Sequence, residues 1–477
     1  MEATGLCVIP RFLGPLLRDE QKIYILSHIS SFFRLYFLRF LIYLQFFKQF
    51  KQKGCFMSLN NIVGYFVEHN RYLNLIGIVV ILLVAWLFSH KKSKINLRLV
   101  FSALLLHFLT AVVVLKFSWG KYILHHVAFG VERIYSCADV GISFVFGQLA
   151  NEMMPWGVVF AIKILPVIIF FGALMALLYH FRIIQFVVLG ISYLIRPLLC
   201  TSGAETLCAI TNSFLGQTEA PLLVKNYLRD MTKSEFFLVM VSGMATISGA
   251  ILVVFYKMGV PINHLLAASA MAVPASILMA KIIIPETETP KTACVSNIKF
   301  ERDTSNMFDA IFVGTTDGLK LALNVGAMLI SFLALIALLN SVLGYACMGI
   351  NSLFGISLPI LSLNSILGYL FSPFAYLLGF VGKEALRAGE LLGAKVAINE
   401  LFAYIELVKA NLSERTMSIL TYALCGFSNF SCIGIQIGGI GALVPGKRLW
   451  LTQLGLYAVL GAALANLLSA MVASLLL

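Results

Sequence analysis

Apolar runs long enough to cross a bilayer recur along this chain. They lie at Tyr72–Ser89, Leu99–Leu115, Gly157–Tyr179, Phe236–Tyr256, His264–Ile284, Leu319–Leu343, Met417–Ile437 and Leu451–Leu476. At about 1.5 Å of rise per residue, runs of this length approach a hydrocarbon core ~30 Å thick. Lipid offers no partner to backbone N–H and C=O groups, so such runs are viable there as helices. The chain is 60% hydrophobic and 12% charged, with a mean hydropathy of +0.92; soluble domains are nearer about 25% charged. These features predict an all-α polytopic membrane protein. The net charge of +13 is explained by Lys and Arg in loops flanking spans, not by a nucleic-acid-binding domain.

The first 56 residues do not fit this pattern. They carry eight Lys/Arg against three acids, and their apolar run Ile23–Phe47 is interrupted by His28, Arg34 and Arg39. Met57 opens Ser58-Leu59-Asn60-Asn61 just ahead of the first clean span. Without residues 1–56, the loop holding Lys91, Lys92, Lys94 and Arg98 is the clearly cytoplasmic side of that span. Residues 1–56 are therefore expected to be an over-long gene start or a dispensable extension. Residues 57–150 are read as a scaffold of spans 1 and 2 with an interfacial helix over 121–150. Residues 151–284 form a first repeat with span 3, a hairpin and spans 4 and 5. A polar loop at 285–309 leads to a second repeat, 310–477, with span 6, a second hairpin and spans 7 and 8. Residues 181–198 read as a further interfacial helix.

The nine cysteines form no CxxC pair and the eight histidines no cluster, which argues against a thiolate or imidazole metal centre. His107, inside an apolar run, reads as a helix–helix hydrogen bonder.

Residues 201–229 and 381–411 each hold two apolar pieces too short to span, split by polar residues. Pieces of about 10–14 residues reach only halfway across a bilayer, so both segments predict re-entrant helical hairpins. The first tip carries Gly216-Gln217-Thr218-Glu219, the second Asn399-Glu400. Thr218 is expected to cap the second arm of its hairpin, with Pro221 in the first turn, and Asn399 to cap the corresponding arm of the other. The two halves echo one another. Thr218-Glu219 is followed 16 residues later by Ser234-Glu235, and Asn399-Glu400 is followed 14 residues later by Ser413-Glu414. Each pair then precedes a span interrupted by small polar residues, Ser242–Gly249 or Cys425–Ser431. Two hairpins facing two broken helices in matching positions point to a transporter site near the midplane.

At these residues the chain resembles the concentrative nucleoside transporters, specifically their bacterial eight-span members. The likeness is carried by Leu165-Pro166-Val167-Ile168-Ile169-Phe170-Phe171, by Gly216 to Leu228, by Gly393 to Tyr404 and by Thr421 to Phe430, in that order. It covers residues 73–477. The resemblance implies about eight transmembrane helices with two re-entrant hairpins, interfacial helices and an inverted repeat, assembled as a homotrimer in the cytoplasmic membrane. It implies that Gln217, Thr218 and Glu219 contact the nucleobase. Glu400 and Asn429 would hold the ribose, with Phe427 packing nearby. Cys432 stands where similar proteins often carry a serine, and is the weaker hydrogen bonder. The family's sodium would lie at Asn212, Leu215, Thr246 and Ile247, with Leu215 and Ile247 giving backbone carbonyls.

Physical chemistry agrees with that assignment. An amide can pair with a base edge in two directions, and a carboxylate accepts from two hydroxyls at once. Na⁺ is a hard cation that takes oxygen ligands, although neutral ligands leave H⁺ coupling open. Glu205, Lys225, Lys395, Glu384, Asp317 and Lys320 read as structural ion pairs or anchors. The expectation is an importer of nucleosides, pyrimidine nucleosides and adenosine first, coupled to Na⁺ or H⁺. A channel and an intramembrane enzyme are the rival classes. Against the enzyme stands the lack of a Ser/His or HExxH arrangement in the spans.

Overall fold

The alternation of apolar runs with short polar loops gives helices and no strand among the described residues. A computed structural model of the protein describes residues 64–151, 154–155, 159–199, 201–291, 304–354 and 361–477. The expectation that residues 1–56 are an extension lies outside them. Residues 64–67 are helical, and His69–Leu477 forms a separate compact unit.

That unit begins with α1 (Arg71–Leu87) and α2 (Leu97–Leu115), then the amphipathic α3 (Ser118–Phe146). Next come α4 (Leu165–His180), α5 (Ile183–Leu199) and the first hairpin arm α6 (Gly203–Asn212). The broken pair α7 (Lys233–Ala245) and α8 (Gly249–Lys257) leads to α9 (Ile262–Ile283). The second half has α10 (Met307–Phe354), α11 (Leu363–Leu377), α12 (Gly382–Ala397) and α13 (Glu400–Lys409). A second broken pair, α14 (Glu414–Leu424) and α15 (Ser431–Leu443), precedes α16 (Arg448–Leu476).

Among the described residues, seven helical segments are long and apolar enough to cross a bilayer, or eight if α11 and α12, bent by 113°, count as one. Two features depart from the sequence reading. The 48-residue α10 far outruns the expected Leu319–Leu343. At about 1.5 Å per residue it exceeds a ~30 Å core, so it must tilt strongly or project beyond it. Helix α11 was not anticipated, because Pro373 inside it breaks the pattern that marks a span.

Side-chain contacts fix the direction of each half. Ser234, opening α7, donates to Ile284 O at 2.7 Å, just beyond the end of α9. His90, after α1, donates its backbone N–H to Ile283 O. These contacts place the start of α7 beside the basic 90–98 loop. At the far end, Arg415 in α14 donates to Ser474 O near the end of α16. The matching spans α7–α8 and α14–α15 therefore run in opposite senses. Their hairpins follow suit. The root of the first is tied to the end of α9 by Glu205–Lys281 at 2.6 Å; the root of the second is tied to the start of α14 by Thr416 donating to Glu384. This is the inverted repeat.

Polar groups within the apolar helices find partners, as expected for His107. His107 Nδ1 lies 3.0 Å from Met271 O. Lys163 pairs with Asp139 of α3 at 3.0 Å, and Tyr256 donates to Glu132 of the same helix at 2.7 Å. Exposed Trp119, Tyr122, Phe129 and Phe144 line α3, as suits a helix lying at the interface.

Candidate functional site

The first hairpin starts from a capping box. Glu205 donates its backbone N–H to Ser202 Oγ, and Ser202 N–H is accepted by the Glu205 carboxylate at 2.8 Å. The first arm, α6, ends at Asn212, and the tip then runs through turns in which Gly216 adopts φ +126°, a conformation disfavoured for residues with a Cβ. The expected Thr218 cap is not formed. Glu219, with φ −89° and ψ −40°, precedes the short helix Ala220–Leu223 with no side-chain cap. A cap needs extended backbone at the capping residue, and here the chain is already helical. Pro221 sits in the first turn, as anticipated. In the second hairpin, Asn399 does cap α13, accepting from Phe402 N–H at 2.8 Å.

The two tips meet the broken helices. Asn429, in the break between α14 and α15, donates from Nδ2 to Glu400 Oε2 at 2.8 Å. Its Oδ1 accepts from Cys432 N–H at 3.0 Å and from Ser431 Oγ at 2.7 Å. Those two donors force the amide orientation that presents Nδ2 to the carboxylate. Gln217 Nε2 donates to Cys432 Sγ at 3.2 Å. Gln217 and Glu400, from opposite hairpins, are thus joined through Cys432 and Asn429. All four are buried. Thr218, Glu219 and Phe427 are half-buried beside them. Phe427 donates its N–H to Thr246 O of the other broken helix at 3.4 Å, where the two breaks cross.

Asn212 and Thr246 also come together. Thr246 Oγ1 lies 3.1 Å from Asn212 O and 2.9 Å from Ser242 O. Asn212 donates from Nδ2 to Ser242 Oγ at 2.9 Å, while its buried Oδ1 has no hydrogen-bond partner. An orphaned amide oxygen is costly unless something occupies it. That buried amide oxygen is a hard donor of the kind a monovalent cation takes.

Sequence reasoning missed two polar side chains. Gln436, in α15, donates from Nε2 to Gln217 Oε1 at 3.2 Å and to Met240 O at 3.0 Å. Asn466, in α16, donates from Nδ2 to Ala245 O at 2.7 Å and Cys425 O at 2.8 Å, carbonyls at the two breaks. Its Oδ1 accepts from Lys395 Nζ at 2.7 Å, and Lys395 also donates to Ala423 O at 2.8 Å. Lys395 is therefore bonded to a carbonyl and an amide, where an ion pair or anchor was expected. A lone amide within an apolar run was the available signal for both missed residues.

Three family models match in order. Residues 76–149 match the N-terminus and 264–474 the C-terminus of the Na⁺-dependent nucleoside transporters, and residues 161–261 match a nucleoside recognition (gate) model. An uncharacterized transporter of Haemophilus influenzae is 42% identical, covering 84% of this chain and 97% of its own. The nucleoside permease NupC of Helicobacter pylori is 39% identical with the same coverage. The solved structure of CNTnw in an inward-facing substrate-bound state superposes with a TM-score of 0.79 at 38% identity, over 85% of this chain and 98% of that one. These neighbours are transporters, not enzymes. The chain is a multi-pass membrane protein and belongs to the family of concentrative, Na⁺-dependent nucleoside transporters.

Proposed function

We propose that this protein is a secondary active symporter that imports nucleosides, pyrimidine nucleosides and adenosine foremost, across the cytoplasmic membrane. The observation that carries this reading is the buried chain from Gln217 through Cys432 and Asn429 to Glu400, which brings both hairpin tips to one place between the broken helices. In this reading Gln217, Thr218 and Glu219 face the base. Glu400 and Asn429 accept and donate to the ribose hydroxyls, Phe427 packs against the ligand, and Cys432 adds a weak contact. Na⁺ is the coupling ion, held by Asn212, Thr246 and the carbonyls of Leu215 and Ile247; the sodium in the family description supports it. H⁺ is the alternative. Closing those oxygens around the ion stabilises the first hairpin, so substrate meets an assembled site when the ion is present.

Residues 57–150 act as scaffold, 151–284 and 310–477 as the two repeats, and 285–309 as the loop between them. The family resemblance implies a homotrimer. The test is uptake of radiolabelled uridine and adenosine into proteoliposomes under an imposed Na⁺ or H⁺ gradient. Saturable accumulation against the nucleoside gradient is expected. Flux that never saturates would refute symport. Uptake indifferent to Na⁺ but driven by a proton gradient would replace the ion.

A further inference from the structure

Gln217 is an amide, and an amide can offer a base either its oxygen or its N–H pair; the two faces read opposite chemistry. What decides between them is not the Cys432 thiol, since a thiol both donates and accepts. The deciding contact is Gln436. Its side chain lies between Gln217 Oε1, at 3.2 Å, and Met240 O, at 3.0 Å. A backbone carbonyl can only accept, so Gln436 must turn its NH₂ toward Met240, and the same NH₂ then faces Gln217. Gln217 has to answer with its oxygen, which leaves its own NH₂ toward Cys432 and the space between the hairpins. Gln436 Oε1 is buried with no partner, so no competing contact pulls that amide the other way. Gly243 keeps the meeting place open. A Cβ there would lie 2.8 Å from Gln217 Cβ and 3.1 Å from Gln436 Nε2, both closer than a normal contact allows.

We propose that Gln436 is a specificity-determining residue: it relays the fixed polarity of the Met240 carbonyl to Gln217, so that the site reads an acceptor on the base. This rests on Gln217 being the base-reading amide. The favoured ligand is a nucleoside whose base presents an acceptor, a carbonyl or a ring nitrogen, where Gln217 points, and an exocyclic amine there is disfavoured. Uridine and cytidine are the matched pair, since they share the ribose and O2 and differ at C4 and N3. One mis-set amide should shift their ratio by roughly five- to tenfold.

The experiment measures kcat/KM for uridine and cytidine uptake in proteoliposomes for the parent, Gln436→Met, Gln436→Glu and Gln217→Met. The parent should favour uridine by roughly fivefold. Gln436→Met keeps the length and removes the relay, so the ratio should fall toward one. Gln436→Glu, protonated in this buried place, donates its single O–H to Met240, so the same hydroxyl oxygen can only accept from Gln217. That flips Gln217 and should reverse the preference to cytidine. Should Gln436→Met fail to fold, the reversal in Gln436→Glu decides alone. The discrimination between uridine and 2′-deoxyuridine, a ribose-side readout, should not move in either variant. A parent ratio of one overturns the proposal, as do Gln436 variants that keep the parent ratio while Gln217→Met loses it. If Gln217→Met keeps the parent ratio as well, the base-reading assignment itself is wrong.

Discussion

Asn466 is the residue on which both helix breaks depend together. It is buried in α16 and donates to Ala245 O at 2.7 Å and Cys425 O at 2.8 Å. It also accepts from the Lys395 ammonium at 2.7 Å. Asn466→Leu keeps the branched shape and removes these three contacts together with a longer one from Ser428 Oγ at 3.3 Å. Each neutral bond inside a membrane protein contributes about 0.6 kcal/mol, and the ammonium bond about 1.5 kcal/mol. The loss therefore comes to about 3 kcal/mol, roughly 100-fold in the population of the assembled breaks. Asn466→Asp retains an acceptor for Lys395 and gives up the donors to the breaks, so it should recover about half of that loss. The assay is thermal unfolding of detergent-purified protein beside the KM for uridine uptake. Asn466→Leu should lower the midpoint and raise KM, with Asn466→Asp between it and the parent. If Asn466→Leu matches the parent in both measurements, the two breaks do not share this support and the reasoning fails.

Glu400→Gln removes a buried charged acceptor beside Asn429 and should raise the uridine KM by roughly 10- to 150-fold, read from uptake kinetics; an unchanged KM would end the ribose assignment. Asn212→Leu removes the orphaned oxygen, so half-activation by Na⁺ should move up at least about tenfold while the uridine-to-cytidine ratio stays at the parent value. Lys281→Met strands Glu205, whose carboxylate lies 2.6 Å from the ammonium, and should destabilise the fold by about 3–5 kcal/mol. The pair Glu205→Gln with Lys281→Met should recover much of the melting temperature, and no recovery would mean the ion pair is not what Lys281 contributes.

What could be read in the sequence is what short-range physics decides. Asn399 caps α13 because an Asn before Glu400-Leu401-Phe402 satisfies an N–H three residues on, whatever surrounds it. Thr218 carried the same local signal and failed, because the first tip is shaped by tertiary contacts to Ser248 and Gly439 as much as by its own chain. The spans and both hairpins were legible from run length. Helix α11 was hidden by Pro373, and the length of α10 by its polar first turns. Gln436 and Asn466 stood in plain view as amides among apolar neighbours, but their partners are 219 and 221 residues away. Nothing local says which segments cross.

That crossing also makes the repeat unequal. On the first arm of each hairpin, shortly before the tip, stands a polar residue turned toward a break, Asn212 in one half and Lys395 in the other. Lys395 carries a cation into the second half and bonds it to Ala423 O and Asn466 Oδ1. Asn212 carries only an amide, and its Oδ1 is left without a partner. The second half is thus served by an amino group attached to the chain. The first half has no such tethered group beside its buried amide oxygen. If the two halves were equivalent, a cation gradient would act on both tips or on neither. Under the proposed sodium and ribose assignments, this one pair of positions puts the dependence on a dissolved cation at the hairpin that carries Gln217 and leaves the Glu400 tip to its tethered lysine.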